Sequence, residues 1–198
     1  ANPSHKADRA APDGWPCWAY SNHDVARHIS RWNLSDAAAR AYATLLMTLR
    51  GSACIYEGEE LGLPEAQIAY DDLQDPYGIQ FWPEFKGRDG CRTPMVWTKD
   101  AANGGFAGNA KPWLPVPPEH LPLAVDASEA NPESLIHHYR RAIALRQAHP
   151  ALRVGSMTGT KATGSVLSFT RASGTETLFC AFNLSDAPTS ATDPPGTW

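Results

Sequence analysis

The hydrophobic period of the chain changes along its length, and each change predicts a different kind of element. From Cys17 to Tyr20 the residues are apolar on both faces, and Ser21, Asn22, His23 and Asp24 follow as a polar run. This predicts a short strand buried on both sides, as parallel strands are, with the chain leaving it at Ser21. Over residues 33–50 the spacing becomes helical. Ala38, Tyr42, Leu45 and Leu49 recur on one face, Ser35 is placed to cap the start, and Gly51 to close the end. Ser52 to Tyr56 then reads as a second short buried strand. Strand, helix and strand with short links predict a βαβ unit and a parallel sheet.

Residues 57–133 form a long excursion rich in Pro, Gly and Trp, with a short helical piece expected at 64–69. So long a stretch without regular structure fits a functional loop leaving the C-terminal end of the second strand. Asn131, Pro132 and Glu133 predict the start of another helix, with Leu135, Ile136, Tyr139, Ala142, Ile143 and Leu145 as its apolar positions and His149-Pro150 as its stop. Beyond Pro150 the period falls to two. Residues 166–171 and 176–182 alternate, and Ala172-Ser-Gly-Thr175 joins them as a hairpin turn. The tail from Ser185 is rich in Pro and Thr.

These elements give the expected fold class: α/β, two βα units of a (β/α)8 TIM barrel followed by the start of a small antiparallel β-domain. Residues 1–150 would carry the two βα units and residues 151–198 the truncated β-domain. A closed barrel needs eight such units, and two leave a long unpaired edge, so the chain is expected to be a fragment of a longer protein. The sequence also begins with Ala rather than Met.

Composition narrows the function classes. The chain has 198 residues, a hydrophobic content of 42% and a charged content of 19%, which suits a globular protein. The net charge of −4 without a basic run gives no reason to expect nucleic acid as a partner. No apolar stretch reaches membrane-spanning length, so no membrane partner is expected, and residues 1–14 lack the apolar core of a signal peptide. Cys17, Cys54, Cys91 and Cys180 are widely spaced without a CxxC pair. Free thiols and a cytoplasmic location are therefore expected, and no metal site among these residues. His137 and His138 are adjacent in a helical pattern and point apart.

The candidate chemistry gathers at the first strand end. His23 and Asp24 read either as a loop pair that caps the next helix or as a donor and an acceptor at the face where barrel enzymes do their chemistry. Trp15, Trp18, Tyr20 and Trp32 lie close in sequence, and aromatic faces beside a carboxylate suit a sugar-binding cleft.

Ser21-Asn-His-Asp-Val-Ala-Arg27 after an apolar strand resembles the Asn-His-Asp motif of the α-amylase family of glycoside hydrolases, family 13. Ile55-Tyr-Glu-Gly-Glu-Glu-Leu-Gly-Leu63 resembles the segment after that family's eighth barrel strand. Gly87-Arg-Asp-Gly-Cys-Arg-Thr-Pro-Met-Val-Trp97 resembles a segment of its α-glucosidase branch. The resemblance implies a retaining mechanism, in which two carboxyl groups about 5 Å apart act as nucleophile and acid. It makes these residues the C-terminal portion of a (β/α)8 TIM barrel, its last two βα units, and places those two carboxyl groups on barrel strands four and five, outside this chain. Asp24 would be the third carboxylate, which stabilises the transition state, His23 a sugar-binding partner, and Arg88 a contact to the terminal glucose. Without the resemblance, Arg88 and Asp89 read as a surface ion pair in a Gly-rich loop. Arg92 matches the second Arg of its segment and is equally readable as structural.

Glu57, Glu59 and Glu60 are read as structural or loop-positioning, since three neighbouring carboxylates repel unless some meet solvent or an Arg. Phe81, Trp82 and Trp97 read either as sugar-stacking groups or as packing for the long loop. His28 and Arg31 belong to the turn and the next helix start, and His5, His120 and His149 receive no role. No cofactor is expected in this chain. The resemblance implies a structural divalent cation whose ligands lie in an early loop, outside these residues. The expected activity is release of terminal α-linked glucose from short oligosaccharides such as maltose. A glucosyl-transferring or isomerising relative and a non-catalytic homologue serving a binding or transporter role are the two alternatives.

Overall fold

A computed structural model describes residues 14–191. The expectations for residues 1–13 and for the end of the tail lie outside the described residues. The chain forms two compact units. Among the described residues, one is built from 14–18, Ala41–Cys54 and 141–191, the other from Ala19–Arg40 and Ile55–Arg140.

In the first unit, β1 (Cys17–Ala19) pairs with β2 (Ser52–Cys54), and the Ser52 amide donates to the Pro16 carbonyl at 2.8 Å. Both strands are shorter than the sequence pattern suggested. Their expected burial on two faces is not observed: Cys17, Ala19, Ser52 and Cys54 are exposed. Apolar patterning records the environment a strand is built for, and the two-stranded sheet formed here leaves those faces uncovered. Between the strands in sequence come α1 (His28–Arg31), which belongs to the second unit, and α2 (Asp36–Thr48). The Ser35 hydroxyl caps α2, accepting from the Ala38 amide at 3.3 Å. At its other end, Arg146 donates to the Met47 and Leu49 carbonyls at 2.7 and 3.1 Å, satisfying acceptors that a helix terminus leaves free.

The helix expected from Asn131 starts later, as α5 (Leu135–Ala148), because Asn131 closes a preceding short helix, α4 (Val125–Ala130). Asn131 Oδ1 accepts from the Glu133 amide at 3.1 Å, a local turn that competes with helix. Pro150 stops α5 and opens α6 (Pro150–Arg153), where its fixed φ suits a first turn.

Three antiparallel strands follow: β3 (Ser156–Thr163), β4 (Val166–Ser173) and β5 (Glu176–Asn183). Ser173 pairs with Glu176 across a two-residue turn, in which Gly174 has φ +58°. Strand β3 was not visible in the sequence, since Ser156–Thr163 is largely polar and exposed. The core of this unit is Leu45, Leu152, Phe169, Cys180 and Phe182, with the rings of Phe169 and Phe182 stacked at 6.0 Å. Buried beside it, Arg171 donates to the carbonyls of Thr48, Leu152, Gly155 and Ser156.

The second unit is mostly irregular backbone around two small cores. Leu61, Leu63, Val96, Ala124 and Ile136 form one, and Ala66, Ile68, Leu73 and Leu114 the other. The helical piece expected at 64–69 is absent. The backbone there finds partners elsewhere: the Glu65 amide donates to Ser30 Oγ at 2.8 Å and the Ala66 amide to the Gly90 carbonyl at 3.2 Å. The first short α-helix of the excursion is instead α3 (Pro76–Gln80), capped by Asp75, with Pro76 in its first turn. No helix among the described residues is long and apolar enough to cross a membrane.

Candidate active site

After β1 the chain makes a tight turn. Asn22 bridges to Val25, and Asn22 Oδ1 accepts from the Asp24 amide at 2.8 Å. Such an Asx turn fixes the backbone of its third residue, so Asp24 is presented by a defined loop. Its side chain is 52% exposed, and that of His23 is 71% exposed.

Two arginines from the Gly-rich segment converge on one oxygen of Asp24. Arg88 Nη1 donates to Oδ1 at 2.9 Å and Arg92 Nη2 donates to the same oxygen at 3.2 Å. Arg92 Nε also holds the His23 carbonyl at 2.7 Å, so it grips the backbone and side chain of the pair together. Oδ2 lies 3.4 Å from His23 Nε2. The Asp24 carboxylate is thus fixed through one oxygen, while the other faces the His23 imidazole on an open side. The three residues expected at the site, His23, Asp24 and Arg88, do come together, and Arg92 joins them.

Arg88 is held from behind. Its Nε donates to Asp75 Oδ2 at 2.8 Å, its Nη2 to Asp75 Oδ1 at 3.1 Å, and its backbone amide to Oδ2 at 2.9 Å. The Asp75 side chain is fully buried. Hydrogen bonds from Arg88 hold the Asp75 carboxyl well below its usual range, at about 2, against the cost of burial. The same bonds, with those to Asp24, push the Arg88 pKa up. Asp89 completes the turn, its Oδ2 accepting from the amides of Gln74 and Asp75 at 2.7 and 2.8 Å. Gly87 has φ +77°, and a Cβ there would stand 3.1 Å from Asp75 Oδ2. Only glycine passes here without strain.

A second buried arginine ties the site loops to one another. Arg27 is 1% exposed. Its Nη1 donates to the Glu57 carbonyl at 2.5 Å, and its Nη2 to Glu57 Oε1 at 2.6 Å and to the Cys91 carbonyl at 3.2 Å. Its guanidinium lies over the Tyr56 ring, 5.5 Å from the centroid. The loop carrying Asp24, the segment after β2 and the turn carrying Arg88 are thereby joined through one side chain. Burial pushes the Glu57 carboxyl up despite the opposing charge of Arg27. It also pushes the Cys91 thiol to about 11, which removes it as a nucleophile.

The reading of Glu57 and Glu59 as structural agrees with this geometry. Glu59 Oε2 accepts from the Tyr56 amide at 2.8 Å, and Oε1 lies 3.0 Å from Nδ1 of the buried His28. Trp82 packs against the Ala66–Leu114 core, whereas Phe81 and Trp97 are about half exposed. Next to Arg92 and Glu57 opens a cavity of about 320 Å³, lined also by Tyr56, Met95, Phe106 and Trp113.

Sequence reasoning gave no role to Asp75 or Arg27, and its surface ion pair of Arg88 with Asp89 is corrected: Asp89 is buried and accepts backbone amides, while Arg88 pairs with Asp24 and Asp75. Asp75 precedes a proline and reads as a helix cap, which it also is. Arg27 closes the Asn-His-Asp motif, and its burial was the signal that sequence could not supply.

Among the described residues no group of three or more His, Cys, Asp or Glu side chains is placed to hold a metal ion.

Comparison with known proteins identifies the lineage. Residues 3–155 match the family described as alpha amylase, catalytic domain. The chain is 58% identical over 182 residues to a probable alpha-glucosidase of Rhizobium meliloti (strain 1021), covering 90% of this chain and 33% of the relative. It is 32% identical over 211 residues to an oligo-1,6-glucosidase of Heyndrickxia coagulans, covering 95% of this chain and 38% of that protein. The chain thus spans about a third of the length of these relatives.

Among solved structures, the alpha-glucosyl transfer enzyme XgtA superposes with a TM-score of 0.89 at 46% identity, over 98% of this chain and 37% of that one. The trehalulose synthase MutB from Pseudomonas mesoacidophila MX-45 does so with a TM-score of 0.83 at 29% identity, over 97% of this chain and 39% of that one. The strand–helix–strand region is accordingly a portion of a TIM barrel, followed by the start of an antiparallel β-domain. Motifs, site geometry and matches agree: the chain belongs to the alpha-amylase family of glycoside hydrolases.

Proposed function

We propose that this chain is the C-terminal part of a retaining α-glucosidase that releases terminal α-linked glucose from short oligosaccharides. The observation that carries the reading is the Asp24 carboxylate, held through one oxygen by Arg88 and Arg92 and left open at the other beside His23. The similarity to a probable alpha-glucosidase and an oligo-1,6-glucosidase supports the glucoside as substrate. In this reading residues 1–150 belong to the catalytic barrel and residues 151–198 open the β-domain. The four free cysteines, two of them exposed, favour the cytoplasm as its location.

The mechanism follows from charge and geometry. As the glycosidic bond breaks, the sugar ring flattens and gains positive charge. A carboxylate fixed beside the ring needs no reorganisation at that moment, so its hydrogen bonds to ring hydroxyls strengthen selectively in the transition state. In this reading Asp24 Oδ2, open beside His23, makes these bonds, and His23 donates to a neighbouring hydroxyl of the same sugar. Arg92 keeps the two in register by holding the His23 carbonyl and Asp24 Oδ1 together. The nucleophile and the acid belong to barrel strands upstream of these residues.

Glucosyl transfer is the second reading. It is favoured by the structural similarity to an alpha-glucosyl transfer enzyme and to a trehalulose synthase. The same glycone site serves both, since what differs is whether water or a sugar hydroxyl takes the glucosyl group. Chromatography of products formed from maltose by the complete protein separates the readings. Glucose as the main product supports hydrolysis, and longer or rearranged saccharides support transfer. Maltose that is bound but left intact favours the non-catalytic homologue.

A further inference from the structure

Arg88 has two edges, and the structure spends them on different carboxylates. The Nε–Nη2 edge is taken by Asp75 in a two-point pair, and only Nη1 reaches Asp24. A guanidinium next to an unobstructed carboxylate prefers the two-point arrangement, with both oxygens engaged. An Arg88 released from Asp75 would therefore swing to engage both oxygens of Asp24, and Oδ2 would no longer be open to a sugar hydroxyl.

We propose that Asp75 is a positioning residue that keeps Arg88 in one-point contact with Asp24, so that Oδ2 stays available to substrate. This inference rests on the functional reading given above. Asp75 is built for the role. It is buried, its Oδ2 also accepts the Arg88 amide, and its Oδ1 accepts the Tyr77 amide at 3.2 Å as the cap of α3. Its own amide is fixed by Asp89, and the Gly87 backbone closes over it. Tyr77 adds a face for Arg88, with its ring centroid 5.7 Å from the guanidinium carbon. A residue serving only as a helix cap would need none of the contacts to the Arg88 side chain. A residue serving only to neutralise Arg88 would be redundant with Asp24.

The test uses the complete enzyme and a chromogenic α-glucoside. Asp75→Asn keeps the cap but turns one acceptor oxygen into a donor facing Arg88. The expected result is a fall in kcat of about ten- to hundredfold with a smaller change in KM, because the lost contact matters in the transition state. In an Asp24→Asn background the same change should cost less than about threefold, since groups acting as a unit are not additive. Asp75→Glu, which keeps the charge but moves the carboxylate one methylene along and off the Nε–Nη2 edge of Arg88, should show the same pattern and serves if Asp75→Asn fails to fold. Equal losses in the two backgrounds, or a raised KM with kcat unchanged, would overturn the inference while leaving the functional reading intact. A complete wild-type protein that cleaves no α-glucoside would overturn both.

Discussion

Replacing Arg27 by Met tests whether one buried side chain holds the site loops together. The change removes donors to the Glu57 carbonyl, the Glu57 carboxylate and the Cys91 carbonyl, and takes a cation from the Tyr56 face. Breaking a fully buried ion pair costs about 3–5 kcal/mol. The Glu57 side chain is 38% exposed, so water recovers part of that, and a loss of about 3 kcal/mol is expected. The loss depends on pH in a defined direction. Burial raises the Glu57 pKa in the fold, and Arg27 opposes that rise. Without Arg27 the carboxyl moves further up, so ionising it penalises the fold as pH rises through the folded value.

Urea unfolding of the complete protein, followed by tryptophan fluorescence, should show the mutant much less stable at neutral pH and closer to wild type in acid. Adding Glu57→Gln to the mutant should recover about 1–2 kcal/mol, by removing the stranded charge. A difference below about 0.5 kcal/mol, or one that does not shrink in acid, would refute the reasoning.

Three other outcomes follow from the structure. Asp75 is held at about 2 against an ordinary 3.8, so it contributes stability that is full above 3.8 and lost as pH falls through about 2. That difference corresponds to about 2 kcal/mol, and acid titration of Asp75→Asn should lack it. Gly87→Ala places a Cβ on a backbone with φ +77°, 2.9 Å from Gly78 Cα and 3.1 Å from Asp75 Oδ2. It should destabilise by about 2 kcal/mol and lower activity through displacement of Arg88, measurable as a paired Tm and kcat loss. Arg171→Met strips donors from the carbonyls of Thr48, Leu152, Gly155 and Ser156. It should cost about 3 kcal/mol or more in urea unfolding, because those acceptors are left without partners.

The parts of the fold that could be read from the sequence are those where local pattern and final environment coincide. Helix α2 has an apolar stripe and a serine cap, and the β4–β5 hairpin has alternation on both sides of a Gly turn, so both are found close to their observed ends. Strand β3 has neither: only Met157 and Thr160 of Ser156–Thr163 escape full exposure. It exists because β4 offers it an edge, which is a tertiary fact. Residues 64–69 carry helical spacing, yet Ser30 and Gly90 outbid the helix for their amides.

The site divides in the same way. His23, Asp24 and Arg88 sit in motifs whose residue types declare their chemistry. Asp75 and Arg27 act through burial and through partners up to 64 residues away, and neither property is written in the local spacing. Arg92 is the intermediate case. Its motif was recognised, but its grip on both His23 and Asp24 required the loops to be brought together.

The central claim is that Asp24 stabilises a glucosyl transition state, and its most direct test is kcat/KM for a chromogenic α-glucoside in the complete protein and its Asp24→Asn variant. Loss of one preorganised transition-state contact predicts a fall of about a hundred- to thousandfold, with circular dichroism and Tm showing a folded variant. A folded variant within about tenfold of wild type would contradict the claim.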